Sequence, residues 1–440
     1  MKRSKFTLSA MGLVLLALPV MQGCGGPETK SESGSAANGS INLTMGAWGN
    51  PAELKVYQKG IDAYMEKNPN VQIKLIPTPS DGYEQKLLTQ LSGNNAPDVF
   101  YVGDGTMSRL IKNQSIAELT EFLNSPDSAA KLDEYSPGLW GVAKQDDKYY
   151  GVMVDCNPLV LYYNKKLFQD AGVKLPQEYF DAGEWNWETF DQVTAKLKEA
   201  GKYGFVQEKS WSGMSSWIWA NGGKIYDEQG NYVLDKDPKS LEAVKFVARL
   251  VQNKQSVYAG SLPQGQGVDA MFLSNQAAMV AAGRWLTPLF STNKSLDFDY
   301  IPYPTNTGNK TEPAAVATAY MAVNKNSAHA QEAMKFLSFY VSKEGQKIRL
   351  SETGNAVPSV TGIDEIVTAN GIPPHAQYLL DARKIGVAAG SPQQLDARVA
   401  GLSKDAEDIY DLMLLGKDTP ETTVQKLAAK VKQKIAEDKQ

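Results

Sequence analysis

Apolar residues at Ile41, Leu43, Met45 and Ala47 alternate with polar or small ones, the period-2 pattern of a strand buried on one face. Asn50-Pro51 comes next, with Asn suited to cap a helix and Pro to its first position. Leu54, Ile61, Tyr64 and Met65 then fall on one helical face, and Pro69 ends the helix. Residues 71–76 alternate again. Strand, helix and strand in that order predict a βαβ unit with parallel strands. A second helix is expected over residues 82–91, and a third strand over 96–102, closed by a Gly103-Asp104-Gly105 turn.

The rest of the chain is organised around residues 149–168. Two apolar runs, 149–154 and 159–163, are rich in β-branched and aromatic residues. Asp155, Cys156, Asn157 and then Pro158 separate them. Pro158 cannot donate to a sheet ladder, so two strand pieces joined by a crossing segment are predicted. A single buried strand with a kink is the alternative. The chain on the N-terminal side reads as one α/β unit, and much of the C-terminal side as a second. Asn186 is placed to cap a helix from Trp187 to about Ala200, and Asp237-Pro238 to start another carrying Leu241, Val244, Ala248 and Val251 on one face. Residues 277–281 form a short apolar strand ending at Gly283-Arg284-Trp285. Residues 314–323 form another that could carry the chain back to the first unit. Ala330, Ala333, Met334, Leu337 and Tyr340 mark an amphipathic helix. The basic segment 420–435 reads as a solvated outer helix.

A chain of 440 residues has room for two domains. Its formal charge is −4 with the basic residues dispersed, so nucleic acid as a partner has no electrostatic support. At the N-terminus, Lys2, Arg3 and Lys5 precede a mostly apolar run at 8–20, too short to span a bilayer comfortably. Met21-Gln22-Gly23-Cys24 comes next. This resembles a bacterial lipoprotein signal, in which Cys24 is lipidated and becomes the first mature residue. Leu is usual where Met21 stands, and a small residue where Gln22 stands. An ordinary secretory signal cut elsewhere is the alternative. No large apolar residue occurs between Cys24 and Ile41, the composition of a flexible tether. With Cys24 lipidated, the second cysteine, Cys156, has no disulfide partner and reads as a small buried hydrophobe.

Several chemistries have no motif. There is no GxGxxG, no Walker A loop and no GxSxG. The two histidines, His329 and His375, stand in no metal-ligand spacing and read as surface residues. No metal or cofactor is expected. A carboxylate pair among the 49 acidic residues is the one enzymatic option left open. What remains is aromatic: Trp48, Trp211, Trp217, Trp219 and Trp285 stand beside turns or strand ends. Sugar rings present flat C–H faces to aromatic rings, and their hydroxyls need planar polar partners. Trp48 with Asn50, Tyr101 with Asp104, and Trp285 with Arg284 fit that demand. Core packing is the alternative for each ring alone. Their recurrence at the C-terminal ends of predicted parallel strands favours a ligand, because open α/β sheets bind ligands there.

The sequence resembles the family 1 extracellular solute-binding proteins of bacterial ABC transporters, the carbohydrate-binding lipoproteins akin to maltose-binding protein. The resemblance covers essentially the whole mature chain. It is carried by the Cys24 signal, Ala96-Pro97-Asp98-Val99-Phe100, Leu161-Tyr162-Tyr163-Asn164-Lys165-Lys166-Leu167-Phe168 and Trp185-Asn186-Trp187-Glu188-Thr189-Phe190. Further on come Asn221-Gly222-Gly223, Phe272 with Ala277-Ala278-Met279, Gly283-Arg284-Trp285 and Lys343-Glu344-Gly345. The family implies an α/β, periplasmic-binding-protein-like fold: two α/β lobes joined by crossing strands, with a ligand cleft between them. On that pattern residues 1–23 are the signal peptide and 24–40 the tether. Lobe one is 41–155 with 318–375, and lobe two is 156–317 with 376–440. Crossings would fall near 155–158, 313–318 and 373–377. Carried over residue by residue, the ligand contacts implied are Trp48, Tyr101, Asp104, Asn157, Arg284, Trp285 and Tyr320, with Trp211 or Trp217 as a further stacking ring. The resemblance implies a monomer, anchored outside the cytoplasm by lipid, that hands a sugar or oligosaccharide to a membrane permease and performs no chemistry. A secreted glycoside-active enzyme with two carboxylates is the alternative, and a chemoreceptor-coupled sensor a third reading.

Overall fold

The computed structural model describes residues 40–263, 266–390 and 399–438. The signal segment 1–23, Cys24 and the tether as far as residue 39 lie outside the described residues. In chain order the strands are β1 (Ile41–Trp48), β2 (Val71–Thr78), β3 (Val99–Gly103), β4 (Lys144–Gln145), β5 (Lys148–Tyr149), β6 (Val152–Pro158), β7 (Val160–Asn164), β8 (Tyr203–Gln207), β9 (Ser256–Tyr258), β10 (Ala277–Ala282), β11 (Phe298–Ile301) and β12 (Val316–Val323). They form two five-stranded sheets, β2-β1-β3-β12-β6 and β11-β7-β10-β8-β9, and the small hairpin β4-β5. With helices packed on them, the two sheets make two α/β lobes.

In the first sheet β1 and β2 run parallel, from Ile41 opposite Val71 to Trp48 opposite Thr78. The helix Pro51–Lys67 joins them, so the expected βαβ unit is present. β12 inserts antiparallel between β3 and β6. In the second sheet β10 runs antiparallel to β7 and parallel to β8. Residues 155–158, expected as the crossing segment, are instead the end of β6, and the chain crosses at Leu159; Pro158 is tolerated in the strand for a clear reason. β6 is an edge strand, where a missing N–H breaks no ladder. After it the Leu159 N–H donates to the Ala315 carbonyl at 2.9 Å, tying the outgoing crossing to the returning one. β7 then begins in the other sheet at Val160. The helix Gln377–Ala388 packs on β6, β12 and β7 and so braces both crossings.

Several expectations change. Gly103-Asp104-Gly105 is no simple turn: Gly103 is extended and the helix Asp104–Lys112 starts at Asp104, burying Thr106, Met107, Leu110 and Ile111. An acid in the first turn favours that start through the helix dipole. The C-terminal helix Pro420–Asp438 is not solvated all round. It buries Val424, Leu427, Ala428 and Val431 in the second lobe's core. His375 is not a bare surface side chain either, since its Nδ1 lies 2.8 Å from the buried Asp299 Oδ2 of β11. Cys156 is a fully buried free thiol, and burial pushes it up to about 12, which keeps it protonated and inert.

Candidate functional site

A cavity of about 280 Å³ lies where the crossing strands meet the ends of both sheets. One wall is Trp48, the last residue of β1, with Glu53 and Tyr57 from the helix Pro51–Lys67. The floor is Asp155 and Asn157 of β6 with residues 317–319 of β12. Glu208, just after β8, and Trp285, just after β10, come from the other lobe. β1 lies parallel to its neighbours β2 and β3, and β8 parallel to β10, so Trp48, Glu208 and Trp285 sit at or just past C-terminal ends of parallel strands.

Local sequence explains how the first wall is held. Asn50 caps the helix, its Oδ1 accepting from Ala52 N at 2.9 Å and Glu53 N at 3.1 Å. Glu53 Oε2 reaches back to Asn50 N at 2.9 Å and to Asn50 Nδ2 at 2.8 Å, completing a capping box. The Tyr57 hydroxyl donates to Glu53 Oε1 at 3.4 Å. The ring of Trp48 is braced edge-on by Tyr83 and Tyr101, at centroid distances of 5.1 and 5.5 Å. Across the cavity Asn50 Nδ2 also lies 3.5 Å from the Trp285 carbonyl, a direct link between lobes.

The floor is a buried polar network. Arg349 is fully enclosed and donates to Asp155 Oδ1 at 3.1 Å and to the Val154 carbonyl at 2.8 Å, with its guanidinium over the Tyr340 ring. Burial pushes the Asp155 carboxyl up, and Arg349 pulls it partly back. Glu53 has no such cation beside it, and burial raises its carboxyl from 4.5 to about 8. Burial also raises Glu208, against a hydrogen bond from Ser210 at 2.9 Å. Asn157 accepts the Arg284 backbone N–H on Oδ1 at 2.9 Å, and its Nδ2 has no protein partner among the described residues.

Three of the predicted contacts, Trp48, Asn157 and Trp285, come together at the cavity. The other six do not line it. Tyr101 is fully buried one layer back, its hydroxyl 3.3 Å from that of Tyr340. Asp104 sits at the start of its helix, its Oδ1 accepting from Gly105 N at 2.7 Å. Arg284 is 1% exposed and acts as a strut, donating to the carbonyls of Leu350, Ala356 and Glu352 at 2.9 to 3.1 Å. Tyr320 follows Ala319 on β12, where the pairing with β6 shifts register, and is buried in the cluster that holds Met107, Leu139 and Val142. Trp211 and Trp217 belong to the helix Trp211–Ala220 and are buried in the second lobe's core. Trp217 packs on Phe190, Phe205, Phe246 and Tyr303 at 5.2 to 5.6 Å. Sequence reasoning missed Glu53, Tyr57, Ser80, Asp155 and Glu208. Glu53 stands three residues after its cap, and Asp155 is the lone acid of an apolar run; both signals were available.

Comparison with known proteins agrees with this architecture. A family model described as bacterial extracellular solute-binding protein matches residues 48–347. A lipoprotein of Streptomyces antibioticus from the oleD 5′ region, itself uncharacterised, is 24% identical over 77% of this chain and 72% of its own. A maltooligosaccharide ABC transporter solute-binding lipoprotein of Streptococcus pneumoniae is 22% identical over 81% of this chain and 82% of its own. Among solved structures, the ABC substrate-binding protein Lmo0181 of Listeria monocytogenes, in complex with cycloalternan, superposes with a TM-score of 0.78 at 22% identity, covering 90% of this chain and 99% of that one. The family match spans well over half the chain, both lobes and the cavity between them: the chain belongs to the bacterial extracellular solute-binding proteins.

Proposed function

We propose that this protein is the extracytoplasmic substrate-binding subunit of an ABC importer. It takes a sugar or oligosaccharide into the cavity between its lobes and delivers it to a membrane permease. The observation that carries the reading is the pairing of Trp48 from one lobe with Trp285 from the other, over a floor of buried acids and an amide. Aromatic faces match the C–H faces of a pyranose, and the carboxylates and Asn157 Nδ2 match its hydroxyls. The names of the pneumococcal relative and of the cycloalternan-bound structure support a saccharide. Lobe closure follows if ligand binds the closed arrangement better than the open one. The protein does no chemistry on this reading. Asp155 is tied to Arg349 and Glu53 to its helix cap, which suits them to hold a ligand in place. Anchoring is through lipid on Cys24, and mass spectrometry of the membrane fraction should show that residue as a lipidated N-terminus.

A thermal-shift screen against mono- and oligosaccharides tests the main claim. Ligand at a hundred times its Kd adds about 2.7 kcal/mol to stability. At least one saccharide should raise the melting temperature and be recovered uncleaved. A panel without any shift would overturn the reading, and cleavage products would turn it toward a glycosidase.

A further inference from the structure

The lining of the cavity is one-sided in charge. Glu53, Asp155 and Glu208 line it, and among the described residues that do so there is no lysine, arginine or histidine. Two buried cations lie nearby, and both are committed elsewhere. Arg349 answers Asp155, and the Arg284 guanidinium is directed at three backbone carbonyls away from the cavity. Glu53 is held only by neutral donors, from Asn50, Tyr57 and Asn355, and Glu208 only by Ser210. Behind Glu208 stands Glu407 of the helix Leu402–Leu414. It is a further carboxyl close enough to be pushed up by Glu208, with its own backbone contact from Trp211. Lys404, on the same helix, pulls Glu407 partly back and is itself paired with Asp408, and it does not line the cavity. Asn157 is 6% exposed and lines the same cavity, with Nδ2 unpartnered among the described residues, so the site also offers a fixed donor for a hydroxyl or ether oxygen.

Resting on the saccharide reading above, we propose that the cavity selects a saccharide carrying a protonated amine, such as a hexosamine residue. Its ammonium would lie between Glu53 and Glu208, and the ring between Trp48 and Trp285. An ammonium leaving water needs carboxylates to replace its hydration. Aromatic faces add cation–π attraction. Each acid, raised by burial in the protein alone, gains a reason to ionise once a cation arrives. Neutral sugars supply hydroxyls but give these raised acids no cation to ionise against. The arrangement therefore discriminates by charge as well as by shape.

Calorimetric titration of the full-length protein at pH 7 with glucosamine oligomers, their N-acetylated counterparts and maltooligosaccharides tests this. The amine-bearing oligomers should bind at least tenfold tighter than either neutral set, and added salt should narrow the gap. Glu208→Gln should shrink the preference severalfold without lowering the unfolding midpoint. Equal or tighter binding of neutral sugars, or an amine preference that Glu208→Gln and salt leave intact, would overturn the charge claim and leave the saccharide reading standing. Failure of every saccharide to bind would sink both.

Discussion

Trp285 and Trp217 carry the same indole in opposite surroundings. Trp285 is half-buried and borders the cavity, and Trp217 is fully enclosed by aromatic neighbours. Trp285→Ala should cost about 1–3 kcal/mol in ligand binding, taking base–aromatic stacking as the analogue. The unfolding midpoint without ligand should move little. Trp217→Ala removes a packed core ring and should cost about 3–5 kcal/mol in stability, with affinity retained by whatever stays folded. Calorimetric binding and denaturant unfolding on both variants check this. Normal affinity in a folded Trp285→Ala protein would remove that residue from the site. The contrast was only half legible in sequence. Trp211, Met214, Trp217 and Ile218 recur at helical spacing, which marks a core stripe once a helix is assigned there. Without that helix, all the tryptophans near turns looked alike. Tyr320 stands one residue past the lining stretch 317–319 and is buried in the first lobe's core, a difference that an apolar run does not reveal.

Helix caps were the most legible elements. Asn50 and Asn186 read as N-caps and Asp237-Pro238 as a helix start, and each of Asn50, Asn186 and Asp237 accepts a backbone N–H of its first turn, at 2.9 Å from Ala52, Thr189 and Ser240. Caps are local chemistry, so local sequence suffices. Pairings across the chain are not local, and the insertion of β12 between β3 and β6 had no signal beyond an apolar run. The buried face of Pro420–Asp438 was hidden likewise, because its partners, the helices Leu402–Leu414 and Pro238–Gln252, are chosen only in the folded chain. The Asn50 cap matters beyond its own helix, because it also orients Glu53 and touches the Trp285 carbonyl. Asn50→Ala should lower stability by about 1 kcal/mol and weaken ligand binding as well. Asn50→Ser keeps the cap and loses the amide. It should recover most of the stability but not the binding. Chemical denaturation and calorimetry on the two variants separate these effects, and full affinity in Asn50→Ala would show that Glu53 needs no such positioning.

On the scale of the whole molecule, the buried acids set how stability responds to pH. Glu53, Asp155, Glu208 and Glu407 are all shifted upward, with burial the leading cause in each. A carboxyl raised by folding keeps a proton that the unfolded chain has already lost. Between the two values the native state binds more protons, so stability falls as pH rises. For Glu53 that window runs from its ordinary 4.5 to about 8, and for Glu407 to about 7. Inside its window a single such group costs about 1.4 kcal/mol per pH unit. The ligand-free protein should therefore lose unfolding free energy steadily between about pH 5 and 8. Glu53→Gln preserves the capping box, because Gln serves at that position too, and removes the titration. Its stability curve should be flatter than the parent's, with an advantage that grows with pH and levels off near pH 8, above which the parent Glu53 is already ionised. Urea unfolding at half-unit pH intervals measures both curves. Two parallel curves across that window would mean that Glu53 is ionised in the native state well below pH 8, and that the cavity is wetter than its burial implies.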